Sequence, residues 1–319
     1  MLAHVGGEHS ESVRISVVIP TYNAARLLPL QLESLNHQTT SEPFEVIVAD
    51  NGSTDGLVEL LDQWRGRVSY RLRHVDASRR QGVSHARNAG VAASDADFVL
   101  ICDADDAVCP TWVDGHLRAL EAADLSGGPL EVERLNPGPQ RYWRTFPLID
   151  DDWQLPLERD FLPWITGANF GARRSAVVAS GGWDEGLDGR GGDDADFSWR
   201  AQLRGFRAAA APTAVVSYRL REGLLPTARQ MYSYTVCFTE LWERFADHGL
   251  RPATFRNAAA GFLHMLLRRA HHLARGDQAR GQWVVNVALS YGILVAVMRY
   301  NLRGRRRTSI DVIEGLEPH

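Results

Sequence analysis

"RISVVIPTYN", Arg14 to Asn23, is the stretch from which the fold is read. Ile15 to Ile19 is an almost continuous β-branched run, and Pro20 ends it. A strand with no polar face is one covered on both sides, as in a parallel sheet wrapped by helices. The next segment, "ARLLPLQLESLNHQ", places Leu27, Leu28, Leu32 and Leu35 at helical spacing. One strand and one helix make the first half of a βαβ unit.

The pattern then repeats. "FEVIVADNGSTDG" gives a strand to about Asp50, with Ser53 or Thr54 as cap of a helix carrying Leu57, Leu60 and Leu61. "SYRLRHV" reads as a third strand, "GVSHARNAGVAAS" as a small-residue helix and "DFVLICD" as a fourth strand. Strands alternating with helices predict an α/β fold with a mostly parallel sheet. Ligands of such sheets bind at the carboxyl ends of the strands, where Thr21, Asp50 and Asp103 fall. Between Leu125 and Leu162 the periodicity weakens into loops. "WITGANFGARRSAVVASGGWDEG" then predicts a strand, a short helix and a Gly-rich loop. "DDADFSWRAQLRGF" predicts a helix with acids in its first turn, and "TAVVSYRL" a further strand.

After Pro226 the texture turns helical. "FRNAAAGFLHMLLRRAHHLARG" is amphipathic and basic, and Trp283 to Met298 is apolar on nearly all sides. That apolar run is shorter than the roughly 20 residues a spanning helix needs. With the basic tail "RYNLRGRRR" (Arg299 to Arg307) it fits docking on an anionic membrane surface, or equally a helix packed on the catalytic domain or in a homodimer interface. The net charge of -4 gives no sign of a nucleic-acid partner. Three cysteines, Cys102, Cys109 and Cys237, without metal-like spacing suit a reducing compartment. The first 14 residues carry no apolar core of signal-peptide length. A cytoplasmic protein, peripheral on the inner face of the plasma membrane if the tail docks there, is expected.

The chemistry is concentrated in carboxylates. "ICDADD" brings Asp103, Asp105 and Asp106 together where a buried strand leaves the sheet. Packed carboxylates repel one another unless a cation sits between them. Mg²⁺ or Mn²⁺ takes such oxygens and can bridge them to a diphosphate. Asp106 could instead cap the helix that begins near Pro110. In "GGDDADFSWR", Asp193 and Asp194 are either the acids of a helix start or a general base whose neighbours raise its pKa. Asp50 could accept a hydrogen bond from a nucleobase, and Arg87 could meet phosphate with its planar fork. Two other enzyme classes lack their signatures. No basic Gly-rich phosphate loop and no G-x-G-x-x-G follows the first strand.

Taken in order, "VVIPTYN", "EVIVADNGSTDG", "GVSHARNAG", "DADD", "ITGANFGARR", "GGWDE" and "DDADFSWRAQLRG" form one joint pattern over residues 14 to 220. The pattern resembles glycosyltransferase family 2, inverting enzymes with the GT-A fold. The resemblance implies a Rossmann-like mixed, mostly parallel sheet flanked by helices, here with a C-terminal helical appendage. It implies a catalytic domain over 14–225, split into a nucleotide-binding half (14–110) and an acceptor half (111–225). A disordered start (1–13), a helical region (226–302) and a basic flexible tail (303–319) complete the expected organisation.

Residue by residue, the resemblance puts Pro20, Thr21 and Asn23 in the nucleoside pocket and Asp50, with Asn51 beside it, at the base. Arg87 and Asp103 lie near the donor's phosphates and ribose, and Asp105 with Asp103 holds the divalent metal. Asp194 is the catalytic base. Asp193, Trp183, Asp184 and Glu185 border the acceptor. Three departures stand out. Asn51 replaces a second Asp found in many relatives, Tyr218 stands near where many carry His, and the Gln-x-x-Arg-Trp motif of processive synthases is missing. The implied partners are a nucleoside-diphosphate sugar and a carbohydrate or lipid-linked acceptor. The implied role is transfer of a single sugar in cell-envelope polysaccharide, glycolipid or related glycoconjugate synthesis. A catalytically degenerate nucleotide-sugar-binding or scaffold subunit is the competing expectation.

Overall fold

The structure, a computed structural model, describes residues 13–187 and 191–303. The expected disordered start and basic tail, apart from residues 13 and 303, lie outside the described residues. The chain opens with β1 (Ile15–Thr21), α1 (Leu28–Asn36), β2 (Phe44–Asp50), α2 (Leu57–Trp64), β3 (Arg71–Asp76), α3 (Val83–Ala92) and β4 (Phe98–Cys102). Next come β5 (Ala107–Val108), α4 (Trp112–Ala122), β6 (Leu125–Gly127), β7 (Leu130–Glu131), β8 (Asn169–Arg173), α5 (Arg174–Ala179) and α6 (Asp193–Leu203). It closes with β9 (Ala208–Ala210), β10 (Val216–Ser217), α7 (Leu224–Arg244), α8 (Phe255–Leu263) and α9 (Asp277–Arg303).

The main sheet has the order β3-β2-β1-β4-β8-β6-β9. The first four strands run parallel, β8 is antiparallel to both β4 and β6, and β9 runs parallel to β6. Alternation along β1 splits the core between the two faces. Val17 and Ile19 pack with Leu28, Leu32, Leu57 and Trp112 on one side. Val18 packs with Val91, Ile101, Phe170, Trp183 and Phe197 on the other. A small sheet, β5-β10-β7, lies apart from the main one.

Register decides what stands at the open edge. Thr21 pairs with Asp50 and Asp50 with Asp76. Val18 pairs with Ile101, so the chain leaves β4 toward Asp103 at the level of Pro20. The carboxyl ends of the parallel strands thus share one edge, as the sequence pattern predicts.

Several local expectations are corrected. Neither Ser53 nor Thr54 caps α2, which starts after Gly56 with no side-chain cap. Both are drawn instead to the first loop: Asn23 N–H donates to Ser53 Oγ at 3.0 Å, and Thr54 N–H donates to Asn23 Oδ1 at 2.8 Å. Asp106 does not cap α4; its Oδ1 accepts from the Arg219 backbone N–H at 2.7 Å. "TAVVSYRL" forms only the two-residue β10, because its neighbours β5 and β7 are equally short. The basic segment after α8 passes through a π turn (His264–Arg268) and a 3-10 turn (Ala270–Ala274). It holds no acid to pair with its arginines at i,i+4.

The C-terminal helices are not detached from the sheet. Trp199 of α6 is buried with Cys237, Leu241 and Trp242 of α7 and with Phe245. Its indole donates to the Leu162 carbonyl at 2.9 Å. Arg244 of α7 pairs with Asp184 at 2.7 Å and with the fully buried Asp196 at 2.9 Å. α9 packs along α7 and α8, with Tyr232 and Tyr291 stacked at 5.8 Å.

Candidate active site

A cavity of about 1030 Å³ opens at the carboxyl edge of the sheet. Pro20 and Asn23 line it from the end of β1, Asp103 and Asp105 from the end of β4, Arg87 from α3, and Asp193 and Asp194 from the start of α6. Seven residues singled out from the sequence therefore meet in one space.

Arg87 supplies the counter-charge that the carboxylates demand. Its guanidinium is buried, bonds Asp193 at 2.5 Å and stands 3.8 Å from Asp103. The side chain thereby ties the nucleotide-binding half to α6. Gly167 is what allows this: a β-carbon there would run into the guanidinium. The fork expected to face phosphate is thus already engaged by protein carboxylates.

Asp194 sits in the first turn of α6, after two glycines held at φ +83° and +82°. Gly191 could carry no side chain, since Tyr234 packs directly on its backbone. Two backbone donors orient the Asp194 carboxylate: Gly167 N–H to Oδ2 at 3.0 Å and Ala195 N–H to Oδ1 at 2.8 Å. Burial, and then the adjacent Asp193, push its pKa up to about 6, against the pull of Arg87 and the two amides. A carboxylate so placed can take a proton near neutrality.

Burial likewise pushes Asp103 up to about 6, with Arg87 opposing and Asp105 and Asp193 adding to the rise. Burial raises Asp105 too, while Arg219 and Arg221 oppose. Beneath them Asp106 is wholly buried, its Oδ2 has no hydrogen-bond partner, and burial lifts it well above the carboxylate range. Asp103 and Asp105 are hard oxygen donors that hold excess negative charge, and this fits a divalent cation. Among the described residues no cluster of three or more His, Cys, Asp or Glu is arranged to hold one. Any cation there would complete its shell from substrate oxygens and water. Tyr218 lines the cavity, but burial keeps its hydroxyl protonated, so it is no substitute for a histidine ligand.

Other expected residues do not reach the cavity wall. Thr21 is buried and its hydroxyl donates to the Ile19 carbonyl. Asp50 accepts from Ser53 N–H at 2.8 Å and contacts His74 at 3.2 Å. Although burial works against its charge, these two partners hold its carboxyl below the usual range. Asn51 donates to the Ala77 and Arg80 carbonyls at 2.6 and 2.7 Å and accepts from Gly82 N–H at 2.7 Å. A second aspartate could not make those two donations, which accounts for the departure at this position.

The "GGWDE" loop is likewise spent on the frame. Trp183 is fully buried and stacks on Phe197 at 4.6 Å, and Asp184 pairs with Arg244. Glu185 contacts His85 at 3.0 Å and Asn88 at 3.1 Å. None of the three lines the cavity, so their expected place at the acceptor is not where the fold puts their side chains.

The sequence reading missed the wall opposite the carboxylates. Gln230, Ser233, Tyr234 and Phe238 face the cavity from α7, Arg144 and Trp153 face it from the irregular segment, and Trp164 faces it from just beyond that segment. The i, i+3, i+4 spacing of polar and aromatic residues from Pro226 to Phe238 was the available signal on α7. Arg144 gave none, because the segment around it has no period.

A profile of the family described as "Glycosyl transferase family 2" matches residues 16–177. The validoxylamine A glucosyltransferase of Streptomyces hygroscopicus subsp. jinggangensis (strain 5008) is 30% identical over 62% of this chain and 54% of its own length. The hyaluronan synthase of Pasteurella multocida is 26% identical over 60% of this chain and 23% of its own. The chain thus spans between about a quarter and about half the length of these two curated relatives. Among solved structures, the mannosyltransferase PcManGT of Pyrobaculum calidifontis, in complex with GDP-Man and Mn²⁺, superposes with a TM-score of 0.62 at 19% identity, covering 92% of this chain and 88% of that one. S. aureus TarS 1-349 in complex with UDP-GlcNAc gives 0.53 at 15% identity, covering 92% and 93%. Those likenesses establish a shared fold.

Proposed function

The chain belongs to glycosyl transferase family 2, and from that premise we propose that it moves a single sugar from a nucleoside-diphosphate donor to an acceptor hydroxyl, with inversion at the anomeric carbon. The observation that carries this reading is Asp194: a carboxylate raised to about 6, oriented by two backbone amides and facing a cavity with two further aspartates. Asp194 takes the proton of the attacking hydroxyl. Arg87 holds Asp193 and Asp103 apart from it and fixes the spacing of the two halves. Pro20 and Asn23 close the nucleoside end, and Asp103 and Asp105 face the diphosphate. A divalent cation bound by these two aspartates would neutralise the departing diphosphate as a Lewis acid. Attack from the side of Asp194 needs no covalent intermediate; the protein contributes positioning and preorganised charge.

The acceptor belongs, in this reading, to a cell-envelope glycan or glycolipid, reached from the cytoplasmic surface of a membrane through the basic C-terminal helices. That PcManGT is solved with GDP-Man and Mn²⁺, and TarS with UDP-GlcNAc, supports a nucleotide-sugar donor. The test is a calorimetric screen of UDP-, GDP- and dTDP-sugars, each with Mn²⁺ and with EDTA. One nucleotide binding in a metal-dependent way is expected. Binding of none would turn the reading toward a scaffold subunit.

A further inference from the structure

The charges of the cavity do not balance around the donor alone. Arg87 is consumed by Asp193 and Asp103, and Arg219 and Arg221 lie in the field of Asp105. Arg144 has no such partner. It makes no ion pair among the described residues, and its Nη1 is buried without a hydrogen-bond partner. The side chain is half-buried as a whole, and a buried guanidinium nitrogen left without an acceptor is costly unless a ligand completes it.

Arg144 lines the same cavity as Asp194. Arg144 lies 4.9 Å over the Phe146 ring. Its charge acts on the Tyr218 and Tyr234 hydroxyls, and Tyr234 in turn lies in the field of Asp194. The Tyr234 hydroxyl accepts from Gln230 Nε2 at 3.0 Å, leaving its own proton free to donate. Trp153, Trp164 and Phe238 supply apolar and aromatic wall to the same cavity, as sugar rings require. A planar fork that shares one cavity with a hydroxyl donor and aromatic rings is suited to an oxyanion on a carbohydrate.

We propose that Arg144, assisted by Tyr234, is the anion-binding element of the acceptor subsite, and that the acceptor carries a carboxylate or phosphate group close to the hydroxyl that is glycosylated. This rests on the glycosyltransferase reading, and it names the acceptor class that the reading leaves open.

The test uses the full chain, loaded with the nucleoside diphosphate that binds best and with Mn²⁺. Calorimetry or ligand-observed NMR then compares methyl glucuronide with methyl glucoside, and glycerol 3-phosphate with glycerol. At least tenfold tighter binding of one charged twin is expected, and which twin distinguishes a carboxylate from a phosphate. Arg144→Gln should erase that preference and leave the affinity for the nucleoside diphosphate unchanged. Arg144→Lys, which keeps the charge without the fork, should keep part of it. Charged and neutral twins binding alike would overturn the proposal, as would an Arg144→Gln protein that loses the nucleotide instead. Failure of wild type to bind any nucleoside diphosphate would remove the donor site, and the acceptor assignment with it.

Discussion

Asp194 makes a claim that pH can test. Its carboxyl must be ionised to accept a proton, and its folded pKa is raised to about 6. Transfer at low substrate should therefore hold steady above that value and fall about tenfold per unit below it. Asp194→Asn keeps the shape, although its amide can accept from only one of the two backbone N–H groups; donor affinity should survive while turnover drops by about 10²–10⁴. A parallel loss of donor affinity and rate in the calorimeter and the assay would remove Asp194 from the role of base. Asn51 permits a second argument of the same size. It is buried, and its amide satisfies two carbonyls and one N–H across the 77–82 turn. Asn51→Asp turns two donations into oxygen–oxygen repulsion and should cost about 1–3 kcal/mol in denaturant unfolding. Unchanged stability would mean that the turn is held by something else. The residue that many relatives have here is therefore a worse fit to this chain's own loop.

Elements show why some of the site was legible and some was not. The carboxyl ends of β1 and β4 and the first turn of α6 were readable because burial period, turn chemistry and acid placement agree there. Pro20, Asp103 and Asp194 come out where the pattern put them. The wall made by α7 and the 138–156 segment was not readable, because its members touch the site only through tertiary packing. Trp143 shows how this works: it lies with Met231 of α7 and Val285 of α9, and Gly281 of α9 leaves the room its indole occupies. The helices beyond Pro226 thus brace the segment that carries Arg144, a neighbour of Trp143 in sequence. Gly281→Ala would place a methyl inside that indole and must shift it. Acceptor-dependent turnover should fall several-fold with nucleotide affinity unchanged. Gly261→Ala, which meets nothing within 4 Å in α8, is the control. It should match wild-type activity and gain up to ~1 kcal/mol from helix propensity. Similar behaviour of the two variants would separate α9 from the site.

At the scale of the whole molecule two local concentrations of charge stand apart. Four aspartates, Asp103, Asp105, Asp193 and Asp194, line the cavity, while residues 251–276 carry five arginines and no acid. Between those arginines, Phe255, Leu263, Leu267 and Leu273 stand 51%, 52%, 67% and 41% exposed. Apolar side chains among arginines fit the interface of an anionic bilayer, where each cation near the surface contributes about 1 kcal/mol. α9 adds a different route to the same surface. Asp277–Leu302 is long and apolar enough to cross a membrane, yet part of it is buried against α7 and α8. Removing everything after Pro226 cannot decide between these, because α7 forms a wall of the cavity. Point variants can. The full chain should sediment with phosphatidylglycerol vesicles and hardly at all with phosphatidylcholine vesicles, and should be released by salt as screening shortens the reach of the arginines. Leu267→Ser with Leu273→Ser should weaken that binding, and Arg268→Ser with Arg269→Ser should remove most of its salt dependence. Binding that resists salt and is indifferent to lipid charge would point to α9 leaving its partners for the bilayer. Equal pelleting with and without vesicles would leave the basic face without a membrane role.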